Sequence, residues 1–248
     1  MKRSRVAAVV LAMVVIAAAV AYPRYRAARQ LAEKQQRIEE ALAKDAAYTE
    51  TLLKMELEST GVTYKELFDF CEKSIDQRNT LIVEMRVNTA ALAPMIGAAI
   101  IDFLNAENGF ARAKRAFLNA SLEFDTAKQA QADNNAGFDA VARRTRNSAR
   151  GERQTARERL AEAEANLAEL EAYLRVGPTL AARVRESAQT IITSISSFRA
   201  ACESLISKEK KLVSESAASG MAFRPVFAPY YQQSIEKANE TEKKTKIL

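Results

Sequence analysis

The chain has 248 residues, of which 48% are hydrophobic and 27% charged, with seven Gly, five Pro, two Cys and neither His nor Trp. Gly and Pro fall well below the roughly 12% of ordinary globular chains, while Ala fills 47 positions, which argues against turn-rich sandwiches, barrels and doubly wound sheets. Without His there is no imidazole base, no Ser-His-Asp triad and no His ligand, and two Cys cannot make a zinc site unaided. The net charge of +6 resides in Lys2, Arg3, Arg5, Arg24, Arg26 and Arg29; taking these six from 37 basic residues leaves 31, against 31 acidic ones. The body is therefore neutral, and global basicity does not argue for a nucleic-acid partner.

After the basic start, Val6 to Tyr22 carries no charge and ends at Pro23-Arg24. Its length is the short end of what spans a hydrocarbon core, and the basic cluster just beyond suits an uncleaved anchor flanked by headgroups. Ala19-Val20-Ala21 has the small-x-small form of a signal peptidase site, so secretion after cleavage before Tyr22 is the alternative. In both cases the body is expected outside the cytoplasm, periplasmic in a bacterium.

The remainder reads as long helices. Leu31, Ile38, Leu42, Leu52 and Met55 mark one helical stripe that stops at Gly61, and Thr63-Tyr64-Lys65-Glu66 is a capping box that starts the next helix. That helix carries Leu67, Phe70, Cys71, Ile75, Leu81, Ile82 and Met85. Pro94, suited to a first helical turn and unsuited to an interior, predicts a chain reversal near Asn88 to Ala93, with a kink in one continuous helix as the alternative. Phe103, Phe110, Phe117 and Phe124 then recur every seven residues, each followed three later by Ala, a seam in which rings alternate with close backbone approach. Asp133-Asn134-Asn135-Ala136-Gly137 predicts a turn. Leu160, Ala163, Leu167, Leu170 and Leu174 form a further apolar seam, and Gly177-Pro178 predicts the turn of a helical hairpin with Val184, Ala188, Ile191, Ile195, Phe198, Cys202, Leu205 and Leu212 on its second helix. The expected fold is all-α: an N-terminal segment 1-29, an elongated up-and-down bundle over 30-218 with coiled-coil-like antiparallel hairpins and helices near 26-60, 63-88, 94-131, 138-175 and 178-218, and a tail over 219-248 whose stretch from Phe223 to Tyr231 is extended.

Three candidate sites follow. Phe223, Phe227, Tyr230 and Tyr231 in the tail are aromatic anchors for docking a partner, or a cover for the end of the bundle. Arg143, Arg144, Arg146 and Arg150 open an Arg-rich stretch that is either a solvated helix face, since no aromatic residues interleave for base stacking and acidic residues follow, or a contact for an anionic surface. Cys71 and Cys202 can be a disulfide in an oxidising compartment or two small core residues. No carboxylate pair stands out in an apolar stripe, so acid-base chemistry is not indicated and no cofactor is expected. The sequence thus points to a membrane-anchored scaffold or interaction module without catalysis. Its expected partners are the membrane through Val6 to Tyr22 and another protein or a second copy through helical surfaces or the tail; a sensory or small-ligand-binding bundle is the alternative.

Overall fold

The structure is a computed structural model that describes residues 2-57, 60-92, 94-150, 155-223 and 227-247, the side chains of 2-20 and of Ala91 excepted. The described residues form five α-helices joined by short links, with no strand: α1 Lys2–Leu57, α2 Tyr64–Asn88, α3 Pro94–Arg150, α4 Ala156–Ala218 and α5 Ala228–Lys246; a single 3-10 turn, Thr89–Ala91, follows α2.

Local chemistry explains most of the ends. Thr63 accepts from the Glu66 N–H while the Glu66 carboxylate accepts from the Thr63 N–H, the reciprocal cap expected of this tetrapeptide. Gly61, at φ 90°, takes the left-handed conformation that only Gly adopts without strain. Asn88 to Pro94 reverses the chain, and α2 runs back along α3 with Arg78 against Glu107 and Glu72 against Arg115. A second capping box, Thr155 with Glu158, opens α4.

The long pair departs from the expected division. α3 has 57 residues and α4 has 63, about 85 and 95 Å each. They run antiparallel along their whole common length, from Lys208 against Asp102 at one end to Ser148 bonded to Glu162 at the other. Neither predicted turn is present. At 133-137 the helix continues because Gly137 is a packing residue, the Tyr173 ring lying where its Cβ would be, at 2.6 Å. At Gly177-Pro178 the helix also continues. Gly177 faces Asn134, and Pro178 is exposed, so the Leu174 carbonyl that it cannot bond is open to water.

One half of this pair lies in the bundle and the other stands free. From Pro94 to about Ala127, α3 is the central helix, burying Phe103, Phe110, Phe117 and Phe124 together with Leu104 and Leu118 on an adjoining face. Phe110 and Phe117 meet Phe198 of α4 at ring distances of 5.6 and 5.8 Å, and Phe110 meets Tyr231 of α5 at 5.2 Å. α1 lies parallel to α3 and contributes Ile38, Leu42, Leu52 and Leu53 to the core. Beyond Lys128, α3 and the first thirty residues of α4 continue as a two-helix arm about 35 Å long. The arm leaves from the end where α1 stops. From the opposite end the first part of α1 projects, exposed at every residue from 21 to 34 and helical through Pro23.

Among the described residues no helix is long and apolar enough to cross a membrane. The side chains of Val6 to Val20, most of the expected anchor, lie outside the described residues.

Candidate functional site

Two charged clusters lie inside the bundle, where α1 and α3 face each other. Thr49 and Glu56 on α1 match Glu107 and Lys114 on α3, all at intervals of seven. Glu107 and Lys114 are only 1% and 2% exposed. The Arg78 guanidinium of α2, 3% exposed, joins the first pair: it donates to both Asp45 oxygens at 3.0 and 3.3 Å and to Thr49 at 3.0 Å, and its Nε lies 3.3 Å from Glu107 Oε2. Thr49 donates to Glu107 Oε1 at 2.9 Å.

With two carboxylates around one guanidinium, burial decides the balance. Desolvation holds the Glu107 carboxyl well above the usual carboxylate range, with Arg78 pulling it down and Asp45 pushing it up. Tyr231 is likewise pushed well above its ordinary value, by burial and then by Glu107 and Glu209. In the second cluster Lys114 pairs with Glu56 and sits over the Phe198 and Phe117 rings, 4.9 and 5.5 Å from their centroids. The sequence shows no carboxylate pair in an apolar stripe, yet Asp45 and Glu107 meet inside the bundle around Arg78. Glu107 and Lys114 escape notice because they occupy the position beside the Phe-Ala seam, which is solvated in a two-helix pair but covered when a helix has neighbours on several sides.

Both cysteines are free and fully buried, so the bridge entertained from the sequence is not formed. Burial raises Cys71 to about 11 and Cys202 to about 12 against the opposing pull of Lys114, leaving two protonated thiols that pack as small apolar groups.

The tail is bundle, not strip. α5 begins at Ala228, so the segment expected to be extended is helical from there. Tyr231 and Phe227 are buried, and Phe223 and Tyr230 are half-buried against the same core. Polar links fasten it: Ala222 N–H donates to Glu39 at 2.9 Å, Phe227 N–H to Glu209 at 3.3 Å, Lys237 to the Glu56 carbonyl at 2.8 Å and Arg199 to Glu242 at 2.6 Å. As free docking anchors Phe227 and Tyr231 are corrected, and they cover the bundle instead: apolar rings within reach of an open core bury themselves. Phe223, Phe227 and Tyr230 still line an open groove of about 410 Å³ against α1.

The arm presents the reverse arrangement. Its seam holds Asn134, Gly137, Phe138, Val141, Thr145 and Ser148 on α3 against Glu162, Asn166, Leu170, Tyr173 and Val184 on α4, all buried or half-buried. The Asn166 Nδ2 is buried without a partner. Leu160, Leu167 and Leu174, expected in a seam, are 60%, 57% and 61% exposed. The sequence pattern is right about their common face and wrong about what covers it.

Arg143, Arg144, Arg146 and Arg150 are exposed on the same arm. Arg144 makes a two-pronged pair with Glu169 at 2.9 and 3.0 Å, whereas Arg143 and Arg146 donate to carbonyls of their own helix. Among the described residues no group of Cys, Asp and Glu could hold a metal ion. No family model matches the chain, and no curated protein or solved structure does so either.

Proposed function

We propose that this protein is a membrane-anchored helical scaffold that acts outside the cytoplasm through protein contact, without catalysis. Val6 to Tyr22 is the anchor, with Lys2, Arg3 and Arg5 on the cytoplasmic side. The observation that carries the interaction reading is the row of Leu160, Leu167 and Leu174, each more than half exposed, on an arm whose bundle already has a complete core. Single exposed leucines are ordinary, but three on one face over two heptads, about four helical turns, make an apolar row. Because α1 projects from one end and the arm from the other, the bundle acts as a spacer that holds this patch away from the bilayer.

The groups with shifted ionisation, Glu107 and Tyr231, weigh against catalysis since they are sealed in the core and face charges of their own chain. A sensory or ligand-binding bundle has less behind it, because the buried charges neutralise one another.

Carbonate extraction of native membranes tests the anchor: the chain stays in the pellet and retains Met1. Recovery of a soluble chain beginning at Tyr22 would make it a secreted protein. Replacing Leu160, Leu167 and Leu174 by Ser tests the patch, with helicity retained and partner capture lost; capture that survives places the contact elsewhere.

A further inference from the structure

We propose that the patch is covered by a second copy of this chain, two arms lying side by side and pointing the same way, so that the Leu ridge of α4 in each seats on the Ala-lined flank of α3 in the other. The inference rests on the interaction reading above and names its partner.

The first support is that each arm offers both halves of such a joint on one face. At about 100° per residue, Leu160, Leu167 and Leu174 lie a quarter turn beyond the α4 seam in the direction of increasing number, and Ala142 and Ala149 lie likewise beyond the α3 seam. In an antiparallel pair that direction is the same side for both helices. One face therefore carries a ridge of large side chains beside a groove of small ones.

The second support is level. Gly137 lies against Tyr173 and Ser148 against Glu162, which places Ala149 level with Leu160 and Ala142 level with Leu167 to within about one residue of rise. A two-fold axis along the arm keeps every residue at its own height. It therefore sets Leu160 of one copy on Ala149 of the other and Leu167 on Ala142, large on small, as close helix packing requires.

Charge selects this arrangement over its competitor. The same axis brings Glu164, exposed and without an ion-pair partner among the described residues, level with Arg146 of the second copy on the rim of the joint. An antiparallel pairing of the two α4 ridges instead brings Glu164 near itself across the axis. Copies anchored in one membrane also point the same way, and their confinement raises the effective concentration of one arm near another. Two faces about 30 by 20 Å bury roughly 1,200 Å² in total, the lower end of what a specific interface needs.

The test uses two differently tagged full-length chains co-expressed in native membranes, one carrying Ala142→Cys and the other Leu167→Cys, followed by mild oxidation. Both positions are on the arm surface, and circular dichroism of each purified variant checks that the fold is kept. The expected product is a disulfide-linked species with both tags, roughly ten-fold more abundant than that from either variant alone, because only the mixed pair brings the two sulfurs within bonding range. Glu164→Arg in one copy lowers the yield, and Arg146→Glu in the other restores it. Linking of Ala163→Cys to Leu167→Cys in place of the first pair overturns the parallel arrangement, and no self-linking from any of these positions overturns the second copy as occupant. Carbonate extraction of the same membranes separates the two readings: a chain kept in the pellet without self-linking means that the dimer fails while the anchor stands, and a chain released with self-linking means the converse.

Discussion

The same two helices, α3 and α4, are paired twice with opposite results. In the bundle their seam is filled by Phe103, Phe110, Phe117 and Phe198, and other helices cover the flanks. In the arm the seam holds Asn134, Gly137, Thr145 and Asn166, while Leu160, Leu167 and Leu174 lie outside it. Register and hand are continuous between the halves, so pairing alone does not determine which face is buried. What differs is the company: a helix with neighbours on several sides buries most of its circumference, and one with a single neighbour buries one stripe and leaves its second apolar stripe for a partner.

The largest expected effect separates the bundle from its tail. Deleting 220-248 removes Phe227, Tyr231, Ile235 and Ala238 from the core. At about 1.5 to 3 kcal/mol for each large apolar side chain, the loss is roughly 5 kcal/mol. Chemical denaturation of the full chain in mild detergent shows it as a collapse of the transition midpoint, whereas an unchanged midpoint would mean that α5 is not part of the core. Next in size, Phe110→Ala costs about 3 to 5 kcal/mol by cavity formation. Leu167→Ala in the same assay at high dilution stays within about 0.5 kcal/mol, because its side chain is exposed in the single copy. Equal effects would erase the distinction between the halves.

A pH series probes the interior of the bundle. Glu107 has a folded-state pKa well above its unfolded one, so between the two the folded chain holds the extra proton. Stability from this group is therefore full below the unfolded pKa, near 4.3, and is lost as pH rises through the folded value. Relative to wild type, Glu107→Gln gains stability as pH rises from about 4 to neutrality. A flat difference would show that Arg78 keeps Glu107 ionised throughout. The smallest effect belongs to the arm: Asn166→Leu replaces an amide whose Nδ2 is buried and unbonded, and raises stability by about 1 kcal/mol. A loss of similar size would mean that the amide has a partner in solution.

How far each half was legible in the sequence follows the same division. The Phe repeat, the Thr63 cap and the reversal before Pro94 were readable because they are local or strictly periodic. The second box, Thr155 with Glu158, was equally readable and marks the true start of α4, but Gly177-Pro178 offers a stronger turn signal and drew the hairpin to the wrong place. Gly137 misleads in the same manner, since its role is to admit Tyr173 rather than to bend the chain. Arg78, Glu107 and Lys114 are not legible as core, because their burial depends on helices distant in sequence, and the same holds for the tail aromatics, whose burial depends on the tail segment lying against Glu209 and Phe110.

Hydrogen exchange of the full-length chain in lipid, at low and high protein density, distinguishes a bundle that is complete in one copy from an arm that is not. Segments 96-127 and 191-216 exchange slowly at both densities, whereas 130-150 and 156-180 exchange fast and slow markedly as density rises. Arm segments that exchange as slowly as the bundle at low density, or that ignore density altogether, would mean that the arm needs no partner.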